Sequence, residues 1–171
     1  MNYRSISDLS ALTSKYASKV PQSVDLIVGI PRSGMLVASI ISLKLNLPLT
    51  DLYAFIRNDE LKRGTTRTYK YHELAKPQDA KQILLVDDSI ATGNSMREAV
   101  AKVKEVYPGS VVTMAAFAQQ HNVDAIDLYL DIVEKPRVFE WNIMHHHYIT
   151  RACLDIDGVL CVDPTADEND D

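Results

Sequence analysis

Short, continuously apolar segments alternate with helix-length segments along most of this sequence. Two of the clearest are residues 24–28 and 82–86. Their apolar side chains follow one another without the polar alternation of a half-exposed strand, so we expect both strands to be buried on two faces. The pattern predicts an α/β fold, namely a doubly wound, mostly parallel sheet of about five strands.

Turn residues and helix caps set the other boundaries. We predict helices at residues 7–18, 33–45 and 94–106, and further strands at residues 49–56, 111–118, 125–132, 138–144 and 152–156. Ligands bind at the carboxyl ends of the strands in such sheets. The loops after the strands at 24–28 and 82–86 are therefore the expected site.

Length and composition limit the class of protein. The chain has 171 residues, 46% of them hydrophobic, and two cysteines. This predicts one main domain over residues 1–150, followed by a C-terminal strand and acidic tail over residues 151–171. The longest run of apolar and small residues, 35–42, is too short to cross a bilayer, so we expect no membrane partner. Few cysteines and no predicted signal peptide indicate a cytoplasmic location.

Charge is distributed unevenly along the chain. The net charge is −5, but residues 155–171 contain seven acidic residues and no Lys or Arg. The rest has 16 acidic against 18 basic residues, a net charge of +2. A nearly neutral body with an acidic tail is not typical of a nucleic-acid-binding protein, so no nucleic-acid partner is expected.

The loop after residues 82–86 has the features of a phosphate site. Two adjacent carboxylates, Asp87 and Asp88, end the strand, and the next helix is preceded or opened by Ala91, Thr92, Gly93, Asn94 and Ser95. Small residues and glycine let backbone N–H groups converge on an anion, which the helix N-terminus also attracts. The carboxylates suit a neighbouring polyol, or a hard cation that the polyol coordinates.

This order of residues resembles the signature of the type I phosphoribosyltransferases, which use 5-phosphoribosyl-1-pyrophosphate (PRPP). The resemblance implies that Asp87 and Asp88 bind the ribose hydroxyls and Mg²⁺, and that residues 91–95 bind the 5′-phosphate. The alternative is an ordinary strand–turn–helix in which both aspartates are solvated turn residues.

The loop after residues 24–28 also opens a helix, and it consists of Ile30, Pro31, Arg32, Ser33 and Gly34. Its backbone donors and Arg32 suit a second anion. The resemblance implies that this loop binds pyrophosphate and that the Pro31–Arg32 peptide bond is cis. Taken alone, the loop is also explained by a turn with an exposed arginine.

Residues 57–70 carry an excess of basic side chains. The resemblance implies a flexible loop here that closes over the active site and excludes water, with Arg67 and Lys70 bringing positive charge to the leaving pyrophosphate. The alternative is a solvated basic loop.

The function that the resemblance implies is displacement of pyrophosphate from C1 of the ribose by a ring nitrogen of a base. Its cofactor is Mg²⁺, its partners are PRPP and a nucleobase-like acceptor, and a homodimer is expected. Hypoxanthine–guanine enzymes carry a carboxylate at the position of Ala91, so any proton transfer to the base must come from elsewhere here. The alternatives are a regulator that binds PRPP without catalysis and one piece of a bifunctional protein.

A small hood from the C-terminal part is expected to hold the base. Trp141, the only tryptophan, either stacks on the base or packs in the core, and its setting resembles that of the xanthine–guanine enzymes, which favours a purine. Residues 145–147 are three consecutive histidines. Adjacent residues of a strand point to opposite faces, so we do not expect all three to bind one metal ion.

Residues 152–160 carry a second motif, which resembles the first motif of the haloacid-dehalogenase-like phosphatases. The resemblance implies Asp155 as nucleophile and Asp157 as general acid, in what would be the start of a missing phosphatase-like domain. The residues that this chemistry needs downstream do not follow in this sequence, so no phosphatase activity is predicted. A chance strand with a solvated acidic turn is the alternative.

Overall fold

The computed structural model of the protein describes residues 1–62, 74–146, 151 and 165. The strands are β1 (Asn2–Arg4), β2 (Leu26–Gly29), β3 (Leu49–Asp51), β4 (Gln82–Ser89), β5 (Ser110–Ala118), β6 (Leu128–Ile132) and β7 (Arg137–Phe139). The α-helices are α1 (Ile6–Tyr16), α2 (Gly34–Leu45), α3 (Leu52–Arg57) and α4 (Asn94–Val106). Short 3₁₀ helices span Ala17–Lys19, Pro77–Asp79, Gln120–Ala125 and Glu140–His145.

Five strands form one parallel sheet in the order β3-β2-β4-β5-β6. The predicted α/β fold with a parallel sheet of five strands is therefore confirmed. β2 lies beside β4, with Gly29 opposite Val86, although β3 separates them in sequence. This order brings the carboxyl ends of β2 and β4 side by side. β1 and β7 form a separate parallel pair, which we call the hood.

Each face of the sheet is covered by its own apolar cluster. Alternate residues of β4 contribute to the two clusters, with Leu84 and Val86 on one side and Ile83 and Leu85 on the other. The first cluster takes in residues of α1 and α2, and the second takes in residues of α3 and α4. Burial on both faces explains why these strands are apolar without alternation.

The chain divides into two compact units, Met1–Trp141 and Asn142–Asp171. All the described strands and α-helices lie in the first unit. Among the described residues no helix is long and apolar enough to span a membrane.

The strand predicted at residues 49–56 is wrong beyond Asp51. The structure has only β3 there, and α3 begins at Leu52. The Asp51 carboxylate accepts hydrogen bonds from the backbone N–H groups of Tyr53 (2.8 Å) and Ala54 (3.0 Å), which caps the helix. Leu52 and Phe55 are then buried on one face at helical spacing. An apolar segment of this length is compatible with either a helix or a strand, and here the Asp51 cap favours the helix.

Two other strands are shorter than predicted, and one was missed. A 3₁₀ helix occupies the start of the segment predicted at 125–132, and β6 begins only at Leu128. In the segment predicted at 138–144, β7 ends at Phe139 and a 3₁₀ helix follows. β1 was not predicted, because only pairing with the distant β7 makes these three residues a strand. The strand predicted at 152–156 lies outside the described residues.

Candidate active site

The N-terminus of α2 packs directly on the end of β4. A Cβ atom at Gly34 would lie 2.7 Å from the Val86 carbonyl oxygen and 3.1 Å from Oδ1 of Asp87. The Ile30 N–H donates to the same Val86 carbonyl at 2.8 Å. Only a residue without a side chain allows this approach. The structure therefore brings the two predicted loops together at the carboxyl ends of β2 and β4.

In the loop after β2, Ile30 is buried while Pro31 and Arg32 are exposed. The Pro31–Arg32 peptide bond is cis, as the resemblance predicted. The Met35 N–H donates to the Arg32 carbonyl at 3.2 Å, so the loop turns directly into α2. No side chain caps this helix at Ser33. The arrangement places an exposed arginine, Arg32, two residues before the N-terminus of α2, which suits an anion.

In the loop after β4, Gly93 has φ +75° and precedes α4 without a side-chain cap. This left-handed conformation favours glycine. Thr92, Asn94 and Ser95 are exposed around it. The first turn of a helix has N–H groups without intrahelical partners, and these hydroxyl and amide side chains surround that turn. A loop with this geometry suits an anion.

Two side chains that the sequence did not point to hold this second loop. Arg97, one turn into α4, donates through Nη2 to the Thr92 carbonyl at 3.1 Å and also to Oδ1 of Asn94. Asn122, from the 3₁₀ helix after β5, donates to the Ala91 carbonyl. Arg97 lies one helical turn after Gly93, and this spacing could have indicated it. Asn122 comes from a distant segment, so no local pattern pointed to it.

The carboxylates of Asp87 and Asp88 lie between the two loops and have different surroundings. Oδ1 of Asp87 accepts a hydrogen bond from the backbone N–H of Asp88 at 2.9 Å. Burial, followed by the negative charge of Asp88, raises the pKa of Asp87 to about 7. The Asp88 residue is 6% exposed, and its Oδ2 accepts a hydrogen bond from Nε1 of Trp141 at 2.8 Å.

These two groups suit a magnesium ion better than a structural metal. Mg²⁺ in phosphate sites is commonly bound by one or two carboxylates, with waters and substrate oxygens completing its shell. Within the described ranges, no cluster of three or more His, Cys, Asp or Glu side chains is placed to bind a metal. Burial, and after it the charge of Asp88, raises the pKa of Asp87, and a bound cation would favour the ionised form.

Trp141 packs against the hood and the core. Its ring lies 5.1 Å from that of Phe139 and 5.9 Å from that of Phe117, with interplanar angles of 9° and 25°. Packing in the core is therefore observed for the tryptophan. Stacking on a base stays a prediction.

Sequence reasoning missed Arg137 of β7, whose Nη2 donates to the Ile90 carbonyl at 2.9 Å just beyond the two carboxylates.

Several predicted residues are not placed in this site. Arg67 and Lys70 of the basic loop lie outside the described residues, as do Asp155 and Asp157 of the C-terminal motif. His145 lies at the end of a 3₁₀ helix and not in a strand, so the alternation expected for it does not apply.

Comparison with known proteins gives phosphoribosyltransferases from several organisms. A xanthine–guanine phosphoribosyltransferase from Idiomarina loihiensis is 29% identical over 129 residues, which cover 72% of this chain and 73% of that protein. An orotate phosphoribosyltransferase from Sulfolobus acidocaldarius is 35% identical over 81 residues, 47% of this chain but only 36% of that protein. The fold is shared with a xanthine–guanine–hypoxanthine phosphoribosyltransferase structure from Helicobacter pylori, at a TM-score of 0.59 and 19% identity over 84% of this chain and 93% of that one.

The match to a family as a whole is broader than any of these pairwise alignments. The family described as "Phosphoribosyl transferase domain" matches residues 2–148, which include every strand and α-helix described above. The chain belongs to the phosphoribosyltransferase family.

Proposed function

We propose that the protein transfers the 5-phosphoribosyl group from PRPP to a nucleobase and releases pyrophosphate. The observation that carries this proposal is the juxtaposition of two anion-binding loops, after β2 and β4, with Asp87 and Asp88 between them. PRPP has the matching order of groups, a phosphate, a diol and a pyrophosphate. Membership of the phosphoribosyltransferase family supports the same assignment.

Each part of the site has a role in this proposal. The loop from Ala91 to Ser95 holds the 5′-phosphate at the N-terminus of α4. Asp87 and Asp88 accept hydrogen bonds from the ribose hydroxyls. The loop from Ile30 to Gly34, with Arg32, binds the pyrophosphate. Catalysis then consists of positioning two substrates and stabilising the charge that develops on the leaving group.

The proposed cofactor is Mg²⁺, which Asp87 and Asp88 would hold together with the substrate. When bound, the ion neutralises charge on the departing pyrophosphate. The residues themselves bind and orient the ribose, and Arg67 and Lys70 are proposed to add positive charge and to help exclude water. Ala91 offers no group for proton transfer, so the acceptor base has to reach its reactive form without that residue.

The finer assignments are proposals of the same kind. A purine acceptor is supported by the xanthine–guanine relative, which is the longer of the two sequence matches. The domain over residues 1–150 and the cytoplasmic location rest on the sequence arguments given above, and the homodimer rests on the family resemblance.

The test is release of pyrophosphate from PRPP and Mg²⁺ in the presence of a pooled panel of purine and pyrimidine bases. We expect base-dependent release by the wild-type protein and its loss in the Asp87→Asn/Asp88→Asn double variant. Asp79→Asn, at an exposed carboxylate at the end of a 3₁₀ helix, is the matched control and should keep full activity. Dividing the pool then identifies the base.

Two results would contradict the proposal. One is release that survives in the double variant. The other is a wild-type protein that neither releases pyrophosphate nor binds PRPP by calorimetry. Binding without release for any base would instead support the regulator that binds PRPP without catalysis.

A further inference from the structure

The plane of the Trp141 indole is fixed by its neighbours. Phe117 and Phe139, both buried, lie 5.0 Å apart by their ring centroids, and Trp141 stacks beside both of them. Such offset stacking favours one ring orientation. The plane in which the indole N–H lies is therefore set by the aromatic cluster before any ligand binds.

That N–H points at a carboxylate of the candidate site. Nε1 of Trp141 is 2.8 Å from Oδ2 of Asp88, at a sequence separation of 53 residues. An indole has only this one donor, and Asp88 is nearly buried. Hydrogen bonds to ionised acceptors are shorter and stronger than neutral ones. The orientation of the Asp88 carboxylate is therefore coupled to the indole.

A second side chain of the same segment acts on the same region. Arg137 donates through Nη2 to the Ile90 carbonyl and through Nη1 to the Val133 carbonyl, at 2.9 and 3.2 Å. Its guanidinium lies 5.3 Å from the centre of the Phe139 ring, and its positive charge attracts Asp88. The segment from β7 to Trp141 thus holds both the carboxylate and the backbone just beyond it.

We propose that Trp141 is a positioning residue for the ribose end of PRPP, because its indole N–H orients the Asp88 carboxylate. The inference rests on the proposed function, in which Asp88 binds a ribose hydroxyl. It differs from a base-stacking role, since it needs the N–H group and not the aromatic face. It also connects the hood to PRPP binding, not only to the base.

Two substitutions at Trp141 distinguish the role of the indole N–H from that of the aromatic ring. Trp141→Phe keeps an aromatic face and removes the donor, so kcat/KM for PRPP should fall roughly tenfold while KM for the base stays within about twofold. Trp141→His offers a ring N–H at a similar position and should recover part of the loss. Tyr107→Phe is the matched control. It removes a hydroxyl that donates to the Ala80 carbonyl at 2.8 Å, at the opposite end of α4 from the site, so it should lower the melting temperature with KM for PRPP retained.

A spectroscopic measurement tests the hydrogen bond without turnover. Because the chain has one tryptophan, its ¹⁵N–¹H spectrum contains one indole N–H resonance. We expect this resonance at low field in the wild-type protein, displaced upfield in Asp88→Asn and shifted again when PRPP is added to the wild-type protein. An indole resonance unchanged by Asp88→Asn overturns the inference.

The kinetic outcomes separate this inference from the proposed function. A wild-type protein with transferase activity and a Trp141→Phe variant with unchanged PRPP kinetics overturn the inference alone. A Trp141→Phe variant with a raised KM for the base and an unchanged KM for PRPP does so as well, in favour of base stacking. A wild-type protein that neither binds PRPP nor turns over overturns both.

Discussion

Asp87 and Asp88 are neighbours in sequence but differ in how their negative charge is stabilised. Asp88 has the indole N–H of Trp141 and the attraction of Arg137. Asp87 is buried beside this carboxylate, and its pKa is raised to about 7. In the absence of a cation, the ionised form of Asp87 therefore costs folding free energy at neutral pH and above.

The sign of the resulting pH dependence follows from the two pKa values of Asp87. Its pKa is about 7 in the folded protein and 3.8 in the reference state. Between these values the folded state binds more protons than the unfolded state, so the contribution of Asp87 to the free energy of unfolding falls as pH rises. Asp87→Asn removes this penalty and should raise the free energy of unfolding at pH 8 by about 1–3 kcal/mol, while abolishing transfer.

Urea unfolding at pH 5 and pH 8, without added metal, measures this effect. The gain in stability of Asp87→Asn over the wild-type protein should be larger at pH 8 than at pH 5. Asp79→Asn, at an exposed carboxylate, should show no such difference. A gain of the same size at both pH values would show that the pKa of Asp87 is not raised.

At the scale of single elements, the position of α2 on β4 depends on Gly34. An added Cβ would lie 2.7 Å from the Val86 carbonyl oxygen and 3.0 Å from the Cα atom of Asp87, both of them backbone atoms that cannot turn aside. Either α2 or the end of β4 would then have to move. The two anion-binding loops would separate as a result.

We expect Gly34→Ala to lower the free energy of unfolding by about 1–3 kcal/mol and to weaken PRPP binding at least tenfold. Ser39→Ala is the matched control on the same helix, because the Ser39 hydroxyl donates to the Met35 carbonyl within α2 at 2.7 Å. Calorimetric titration with PRPP and thermal unfolding measure the two effects. A Gly34→Ala variant with wild-type affinity would show that the close approach is not needed for the site.

The elements that were predicted correctly are those whose signals are local. The bounds of α4 match the prediction, and both loops followed from small residues after apolar strands. One error is local, because the apolar α3 segment fits either period and the adjacent Asp51 cap selects the helix. Another occurs where a distant contact decides the structure, because β1 exists only through its pairing with β7. For the same reason Asn122 and Arg137 were missed, because their contacts span 31 and 47 residues.

At the scale of the whole molecule, the two apolar clusters are formed by residues of the first compact unit, Met1–Trp141. The family match ends near the same point, at residue 148. We therefore expect a fragment of residues 1–150 to fold on its own as the proposed transferase domain. Its cooperative thermal unfolding should have the same midpoint as that of the full chain.

Differential scanning calorimetry of the fragment and of the full chain makes this comparison. PRPP should raise the midpoint of both by the same amount if residues 151–171 contribute nothing to the site. A fragment that is unfolded, or one that PRPP no longer stabilises, would contradict the proposed domain boundary.

The strand order has a consequence for how the chain folds. The residues paired between β2 and β4, such as Leu26 and Ile83, are far apart in sequence, and all of β3 and α3 lie between them. Such non-local pairings form slowly compared with helices. Each loop can attain its own turn early, but neither meets the other until this pairing is complete. The time at which a refolding chain first binds its ligand therefore reports when β2 pairs with β4.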